Sequence, residues 1–433
     1  MPSRTPITAA AAAALAALAL AVPATAAEPA ATSRQALPGP DIAFRSDSPA
    51  TTGRKPISRG KLQRKLKKLA RKAPGSSGYY VTKIGGKADA AIFDRNGGHT
   101  RKLASNEKLF TTTTALHRLG PKSRIETKVK AGGKVAKGKL KGDIYLVGGG
   151  DPSLDGSGLS DLAEQVRKAG IRRVAGRVIG DDSIFDRRRG VPDSGWAASP
   201  YIAPLSGLVV NGSTYDGDPA KEAAKAFRGE LRDAGVSIGG KVKVGRVPAK
   251  LRGRDSLADH DSAKIATLVR ATNKDSVNFY AEMLLKRLWA TPKRQGTTNG
   301  GTKAVERFAK GVGSKVKARD GSGLTAGNKA SPRSVARLLI AAQRDDELAK
   351  PLFKSLSIAG KDGTLGGRMG GTAAAGRCRG KTGTLTGVSN VSGYCKTKSG
   401  LIVFSLLMNG VTNLDAAHSI QDSMVVAISR LRG

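Results

Sequence analysis

Cysteine and histidine are scarce in this sequence, and their scarcity excludes several classes of protein. The 433 residues include 2 cysteines and 4 histidines, and no His-Glu-x-x-His run occurs among them. The two cysteines cannot by themselves supply a four-ligand zinc site, and they are too few for a disulfide-stapled small scaffold. We therefore predict no metal and no cofactor. The hydrophobic fraction of 39% is too high for a chain that is disordered throughout, so a large core is expected.

Acidic and aromatic residues are also few. The 34 Asp and Glu residues stand against 74 Lys and Arg, which gives a formal net charge of +40. A field of this sign attracts polyanions. Aromatic residues make up only 4% of the chain, and no base-stacking motif stands out, so nucleic acid is not the predicted partner. We expect attraction to anionic cell-wall polymers or to a membrane surface outside the cytoplasm.

The N-terminus has the features of an export signal. Arg4 precedes an apolar run over residues 7–22, and residues 24–26 supply a small-residue cleavage site. A membrane anchor is the alternative, but the run of about 16 residues falls short of the roughly 20 that cross a bilayer. We predict a signal peptide over residues 1–27, a flexible leader over 28–53, and secretion to the cell wall or periplasm without a transmembrane anchor.

A basic segment follows the leader. Residues 54–72 carry ten Lys and Arg residues. Leu62, Leu66 and Leu69 recur at i, i+4 and i+7, which predicts a helix with one apolar stripe. Charge on the outer face of a surface helix is the usual arrangement. Attraction of this helix to a polyanion stays open as the alternative.

Further elements are indicated by composition and periodicity. A helix is predicted from Ser105 to Leu119, ended by Gly120 and Pro121. Residues 122–265 are rich in glycine and contain short strands, of which 143–147 and 173–179 are examples. Two more helices are predicted over 277–289 and from Ser331 toward Ala342.

One serine and one lysine at the start of a predicted helix have the spacing of a nucleophile and its base. A serine hydroxyl is a weak nucleophile and needs a base within hydrogen-bond reach. Ser105 and Lys108 lie three residues apart on one helix face, near the positive end of the helix dipole. The same spacing recurs at Ser58 with Lys61 and at Ser314 with Lys317. Context must therefore decide among the three pairs.

Two later motifs supply that context. Ser276-Val277-Asn278 is the only Ser-x-Asn in the chain, and Lys381-Thr382-Gly383-Thr384 follows it. Ser-x-x-Lys, Ser-x-Asn and Lys-Thr-Gly in this order are the signature of penicillin-interacting serine enzymes. A Lys-Ser-Gly run similar to the third motif, at residues 398–400, is predicted to be a turn.

The sequence resembles the D-alanyl-D-alanine carboxypeptidase/endopeptidases among the low-molecular-mass penicillin-binding proteins. The resemblance extends from Tyr79 to the C-terminus and includes residues 146–153, 320–324, 362–365 and 380–393. The long stretch between the first two motifs resembles the members that carry a large insertion there.

The resemblance implies an α/β (α+β) fold. Residues 54–120 and 266–433 would form a discontinuous transpeptidase/β-lactamase-like domain, with an antiparallel sheet between helices. Residues 121–265 would form a β-rich insertion.

The resemblance also implies roles for the motif residues. Ser105 would be acylated by a peptidoglycan peptide ending in D-Ala-D-Ala, with Lys108 as the base, and β-lactams would acylate the same oxygen. Ser276 and Asn278 would relay the proton and hold the substrate amide. The terminal carboxylate would bind at the strand formed by Lys381, Thr382, Gly383 and Thr384. The backbone N–H groups of Ser105 and Thr384 would form the oxyanion hole.

The departures from the family pattern leave the reactive groups intact. Leu103 stands where relatives usually have proline, and Glu107 lies inside the first motif. Because positions i and i+2 of a helix do not face each other, Glu107 is predicted to point away from Ser105, into solvent or an ion pair.

Three other functions are alternatives to this one. A β-lactamase shares the chemistry, but no Glu-x-x-x-Asn segment follows Ser105. A Ser-His-Asp hydrolase needs a histidine beside the nucleophile, and His117 is twelve residues further along the helix, about 18 Å away. A basic wall-associated binding protein without activity is the third alternative.

The two cysteines fall in one predicted hairpin. A two-residue turn at Thr386-Gly387 would place Cys378 directly opposite Cys395 on adjacent antiparallel strands, near enough for a disulfide bridge. Two buried free thiols are the alternative. Since side chains alternate along a strand, Cys378 and Lys381 would point to opposite faces of the sheet.

Overall fold

The computed structural model describes residues 55–85, 90–213 and 217–432. The predicted signal peptide and leader lie outside these residues. Within the described ranges, no helix is long and apolar enough to cross a membrane.

The described residues form eleven α-helices. In chain order they are α1 (Arg59–Arg71), α2 (Glu107–Leu119), α3 (Gly156–Lys168), α4 (Pro219–Asp233), α5 (Ala249–Arg252), α6 (Ile265–Lys274), α7 (Asn278–Arg287), α8 (Thr298–Gly311), α9 (Pro332–Arg344), α10 (Asp346–Ser355) and α11 (Leu414–Ser429).

Eighteen strands accompany them in the same ranges. They are β1 (Gly78–Lys83), β2 (Ala91–Arg95), β3 (Arg101–Lys102), β4 (Glu126–Ala131), β5 (Lys134–Ala136), β6 (Lys139–Lys141), β7 (Ile144–Val147), β8 (Arg173–Val174), β9 (Val178–Asp181), β10 (Ser237–Ile238), β11 (Val242–Val244), β12 (Ala258–Asp261), β13 (Val316–Lys317), β14 (Lys329–Ala330), β15 (Ser357–Ile358), β16 (Cys378–Leu385), β17 (Val388–Thr397) and β18 (Gly400–Asn409).

A six-stranded antiparallel sheet with the order β15-β16-β17-β18-β1-β2 is formed by residues from both ends of the described chain. Its side chains alternate between two cores. Tyr79 and Val81 belong to the core formed with α1 and α11. Tyr80, between them, belongs to the core formed with α2, α6 and α9. Helices therefore cover both faces of this sheet.

Helix α2 is buried although its sequence is polar. Four consecutive threonines, residues 111–114, are fully buried. The Thr112, Thr113 and Thr114 hydroxyls donate to the carbonyl oxygens four residues earlier, at 2.6, 2.6 and 2.8 Å. The Thr111 hydroxyl donates to the carbonyl of Gly321 at 2.9 Å. Because each hydroxyl has an acceptor, burying this helix leaves none of the four threonine hydroxyls unpaired.

Residues between α2 and α6 build two further sheets, ordered β10-β8-β6-β5 and β11-β9-β7-β4-β12. They pack with α3 and α4 around a separate core. The single strand predicted over 173–179 is wrong, because the chain leaves β8 and enters β9 of the other sheet. At the crossing, a Cβ on Gly176 would lie 2.5 Å from the carbonyl oxygen of Gly142. Only a glycine allows the two backbones to approach so closely.

Other elements that were predicted from periodicity and turn signals are present in the structure. Ser331 caps α9, and Gly120, at φ 85°, ends α2. Strands β16 and β17 are joined at Thr386-Gly387, and Cys378 pairs directly with Cys395 in the register. A disulfide bond joins these two cysteines. Residues 398–399 form the turn between β17 and β18.

Candidate active site

Ser105 lies on a short 3-10 turn, Ala104–Asn106, that leads directly into α2. Two glycines fix this turn by close backbone contact. A Cβ on Gly323, which has φ +86°, would lie 1.9 Å from the carbonyl oxygen of Ala104. A Cβ on Gly383 of β16 would lie 2.8 Å from the carbonyl oxygen of Leu103. The nucleophile candidate is therefore held between a loop and the edge of the sheet by backbone packing.

Lys108 is fully buried, and its amine contacts three acceptors. The Lys108 Nζ lies 2.8 Å from Ser105 Oγ, 2.7 Å from Asn278 Oδ1 and 2.7 Å from the carbonyl oxygen of Ser322. The two carbonyl-type oxygens accept but cannot donate. When the amine is neutral, its two N–H bonds donate to these two oxygens. The lone pair on Lys108 Nζ is then directed at the Ser105 hydroxyl.

A hydrogen bond from the amide nitrogen of Asn278 fixes the orientation of this amide. Asn278 Nδ2 donates to the carbonyl of Tyr201 at 3.0 Å, so Oδ1 faces Lys108. Asn278 is the first residue of α7, and Ser276, two residues earlier, has φ 59°. This left-handed turn carries Ser276 toward β16 while Asn278 faces α2.

Lys381 forms the second half of the site. Its amine donates to Ser276 Oγ at 2.9 Å and to the carbonyl of Thr382 at 3.1 Å. The Thr382 hydroxyl donates to Thr364 Oγ1 at 2.8 Å. Asn106 Nδ2 donates to the carbonyl of Lys381 at 3.0 Å, which ties β16 to the turn that carries the nucleophile candidate. Thr384 is exposed two residues beyond Thr382.

The structure thus brings the three motifs together. Lys108 and Lys381 are fully buried at the base of the site. The polar groups above them are half-buried and within reach of solvent: Ser105, Ser276, Asn278 and Thr382. Amines at the floor and hydroxyls at the opening are the arrangement that nucleophilic attack by a serine oxygen requires.

Burial changes the protonation of both lysines. Desolvation lowers the pKa of Lys108 to about 7, although Asp320, Glu282 and Glu107 act in the opposite direction. Desolvation, reinforced by Lys108, also lowers the pKa of Lys381 well below its usual range. A neutral amine at the position of Lys108 is therefore available near neutral pH.

Glu107 corrects one sequence prediction. Its side chain is fully buried rather than solvated, and neither carboxyl oxygen has a hydrogen-bond partner among the described residues. Helix α2 is covered on the side away from Ser105 as well, so pointing away from Ser105 means pointing into the protein. Burial, with Asp320, Glu282 and Glu306 nearby, raises the pKa of Glu107 well above its usual range.

Sequence reasoning missed several residues that shape the site. Glu282 Oε1 accepts from the backbone N–H groups of Gly321 and Ser322 at 2.8 and 2.6 Å, which positions the Ser322 carbonyl against Lys108. Asp320 holds the other side of this loop by accepting from the N–H groups of Gly323 and Thr325 at 2.7 and 2.6 Å. The Asp-Gly-Ser-Gly run at 320–323 was a usable signal for this loop. Glu282, a single glutamate on α7, gave no such signal.

The serines of the two competing pairs and His117 make structural contacts. Ser58 caps α1, and the Ser314 hydroxyl donates to the carbonyl of Ser334 at 2.7 Å. The ring of His117 stacks on Phe308 at 4.8 Å between centroids. Within the described residues, no group of three or more His, Cys, Asp or Glu side chains is arranged to hold a metal ion.

Solved structures define the class of fold. Penicillin binding protein 4 from Haemophilus influenzae matches with a TM-score of 0.71 at 22% identity, covering 85% of this chain and 99% of that one. The same protein has also been solved in complex with a β-lactam. A predatory peptidoglycan endopeptidase from Bdellovibrio bacteriovorus matches with a TM-score of 0.54 at 20% identity, covering 79% of this chain and 87% of that one. The predicted transpeptidase-like α/β fold is confirmed.

Sequence comparison then gives the family. The model of the D-Ala-D-Ala carboxypeptidase 3 (S13) family matches residues 61–217 and 214–431. The D-alanyl-D-alanine carboxypeptidase of an Actinomadura species is 30% identical over 79% of this chain and 79% of its own length. Carboxypeptidase DacB of Mycolicibacterium smegmatis is 28% identical over 76% of this chain and 77% of its own. The chain belongs to the S13 family and is a serine-type D-Ala-D-Ala carboxypeptidase acting on peptidoglycan.

Proposed function

We propose that Ser105 is the residue acylated by the substrate and that Lys108 is its general base. The observation that carries this proposal is the set of three acceptors around Lys108 Nζ. Asn278 Oδ1 and the Ser322 carbonyl, both at 2.7 Å, occupy the two N–H bonds of the neutral amine. Its lone pair is then directed at the Ser105 hydroxyl, 2.8 Å away. A base within this distance is what a serine nucleophile needs.

The reaction would run in two steps. In the first, Lys108 takes the proton of Ser105, the serine oxygen bonds to the carbonyl carbon between the two D-alanines, and the C–N bond breaks. The proton passes to the departing amine of D-alanine. In the second, water gives a proton to the same base and its oxygen bonds to the acyl carbon. The ester bond between that carbon and the Ser105 oxygen breaks, and the base returns the proton to the Ser105 oxygen. No metal or cofactor enters either step.

The other motif residues would bind and orient the substrate. Lys381 donates to Ser276 Oγ at 2.9 Å, so Ser276 is placed to pass the proton toward the leaving amine. The Thr382 hydroxyl would donate to the terminal carboxylate of the peptide, and the negative charge of that carboxylate would favour the protonated form of Lys381. Backbone N–H groups of Ser105 and Thr384 would hold the oxyanion, with Gly383 allowing the strand to lie against the turn.

The substrates would be peptidoglycan stem peptides that end in D-Ala-D-Ala, including cross-linked ones for endopeptidase cleavage. β-Lactams would acylate Ser105 covalently, because they present a strained amide to the same nucleophile. The predicted export signal supports an extracytoplasmic location in the cell wall or periplasm. There the charge of +40 would draw the enzyme toward anionic wall polymers.

The domain division is part of the proposal. Residues 54–120 and 266–433 would form the catalytic domain, and residues 121–265 the insertion. The separate core of β4, β7, α3 and α4 supports this division. The insertion would also complete the site, since the Tyr201 carbonyl orients Asn278.

Labelling with a fluorescent penicillin tests the nucleophile. Ser105→Ala should abolish covalent labelling and the release of D-alanine from a defined D-Ala-D-Ala peptide. Ser58→Ala is the matched control, because Ser58 has the same Ser-x-x-Lys spacing on an exposed helix end and should label like the parent. Labelling of the Ser105→Ala protein at the parental rate would overturn the assignment.

A further inference from the structure

Helix α1 presents a face composed of cations. All nine Lys and Arg residues between positions 55 and 72 are exposed. No Asp or Glu occurs from residue 48 to residue 88. Lys61, Arg64, Lys68 and Arg71 recur at spacings of three and four residues, so they line one side of the helix over roughly 15 Å. These four residues are called the α1 face below.

The apolar side of α1 is already used inside the protein. Leu62 and Leu66 are fully buried and pack with Met424 and Ile428 of α11. Gln63 Nε2 donates to the carbonyl of Ile92 at 2.9 Å, which fixes the helix against β2. A helix that lies in a membrane inserts an apolar face between the lipids. Because α1 has turned that face inward, its outer side offers charge alone.

Carboxylates on the neighbouring elements do little to neutralise this charge. Helix α1 packs against α11 and β2, which carry three acidic residues. Asp422 is paired with Arg368 at 2.6 Å, and Asp94 with Arg333 at 2.6 Å. Asp415 lies in the first turn of α11 and is exposed. The α1 face is therefore a net positive surface.

We propose that the α1 face binds a linear polyanion, one whose phosphate groups repeat along an extended chain. An isolated surface ion pair contributes little, but several cations in a row bind a repeating anion together. Helix α1 covers the face of the sheet opposite α2, so a polymer bound there leaves Ser105 accessible. The proposal rests on the extracytoplasmic location proposed above, where such polymers would lie beside the substrate.

Binding of the full chain to linear polyphosphate of defined length tests the proposal. The first variant replaces the α1 face by glutamine: Lys61→Gln, Arg64→Gln, Lys68→Gln and Arg71→Gln. The matched control removes the same charge from exposed residues of the β5, β6 and β8 sheet: Lys134→Gln, Lys139→Gln, Lys141→Gln and Arg173→Gln.

The α1-face variant should weaken polyphosphate binding about tenfold, and the control no more than about twofold. Parental binding should fall steeply with salt, and that of the α1-face variant less steeply. Both variants should release D-alanine from a soluble D-Ala-D-Ala peptide at the parental rate. That readout shows that they are folded and separates this proposal from the catalytic one.

Two results would overturn the assignment. Equal weakening in both variants would mean that the overall charge, rather than the α1 face, binds the polymer. Tighter binding to phosphatidylglycerol vesicles than to polyphosphate, lost in the α1-face variant, would make a lipid surface the partner instead.

Discussion

The pH dependence of acylation follows from the environment of Lys108. Only the neutral amine can accept the proton of Ser105, so the acylation rate should track the neutral fraction of Lys108. Burial lowers the pKa of this amine to about 7. The neutral fraction is then about one tenth at pH 6 and about nine tenths at pH 8. Acylation should therefore rise about tenfold across this range and level off above it.

Stopped-flow measurement of penicillin acylation between pH 5.5 and 9.5 provides the assay. An exposed lysine keeps a pKa near 10.4, and its neutral fraction would still rise about tenfold for each pH unit at pH 9. A rate that is level above pH 8 is thus the signature of the buried amine. In the Lys108→Arg variant the guanidinium stays charged across this pH range and cannot accept a proton. Penicillin should acylate this variant at least about a hundredfold more slowly than the parent.

One outcome would refute the reasoning. If the parental rate kept climbing through pH 9.5, Lys108 would be charged in the folded enzyme, and the lone pair assigned to it would not exist. Circular dichroism at each pH checks that the fold is retained, so that a fall in rate is not mistaken for titration.

Three further outcomes follow from packing. Glu107→Met should raise the free energy of unfolding by about 1–2 kcal/mol, since it removes a buried carboxyl without a partner. The raised pKa of Glu107 lowers the stability of the fold only at pH values above the pKa of this residue in the unfolded chain. The gain measured in urea titrations should therefore be larger at pH 7 than at pH 4.5. Gly383→Ala should slow acylation about a hundredfold, because its Cβ would lie 2.8 Å from the Leu103 carbonyl, whereas Gly229→Ala, with open space around its Cβ, should not. Cys378→Ser removes a disulfide between residues 17 apart and should lower the free energy of unfolding by about 3 kcal/mol without changing the rate of acylation. Loss of acylation in a variant that is fully folded would contradict the placement of the disulfide outside the site.

Spacing predicted those parts of the site that depend on one local element. Helical periodicity put Ser105 and Lys108 on one face, and hairpin register put Cys378 opposite Cys395. Both follow from backbone geometry over a few residues. The order of the three motifs then identified the family, although it gave no distances between them.

The features of the site that could not be predicted from the sequence depend on backbone atoms and on burial. The carbonyls of Ser322 and Tyr201 complete the surroundings of Lys108 and Asn278, and a backbone carbonyl leaves no trace in the side-chain sequence. Glu107 was misplaced because helical spacing gives the direction of a side chain but not what covers that side of α2. Three of its four threonine hydroxyls donate to carbonyls of the preceding turn, so the polarity of these residues did not indicate exposure.

The site is assembled from three elements that are far apart in sequence, and the contacts that join them leave little freedom. The turn carrying Ser105 is fixed by Gly323 on one side and by Gly383 of β16 on the other. Asn106 Nδ2 donates to the Lys381 carbonyl at 3.0 Å, so a shift of β16 would move Lys381 relative to the turn that carries Ser105. The disulfide at Cys378, on the opposite face of β16, restrains this strand without entering the site. A well-restrained β16 therefore keeps Lys381 beside Ser276 and Gly383 against the turn that carries Ser105, and for this reason we expect a change at Gly383 to slow acylation as much as a change at Lys108.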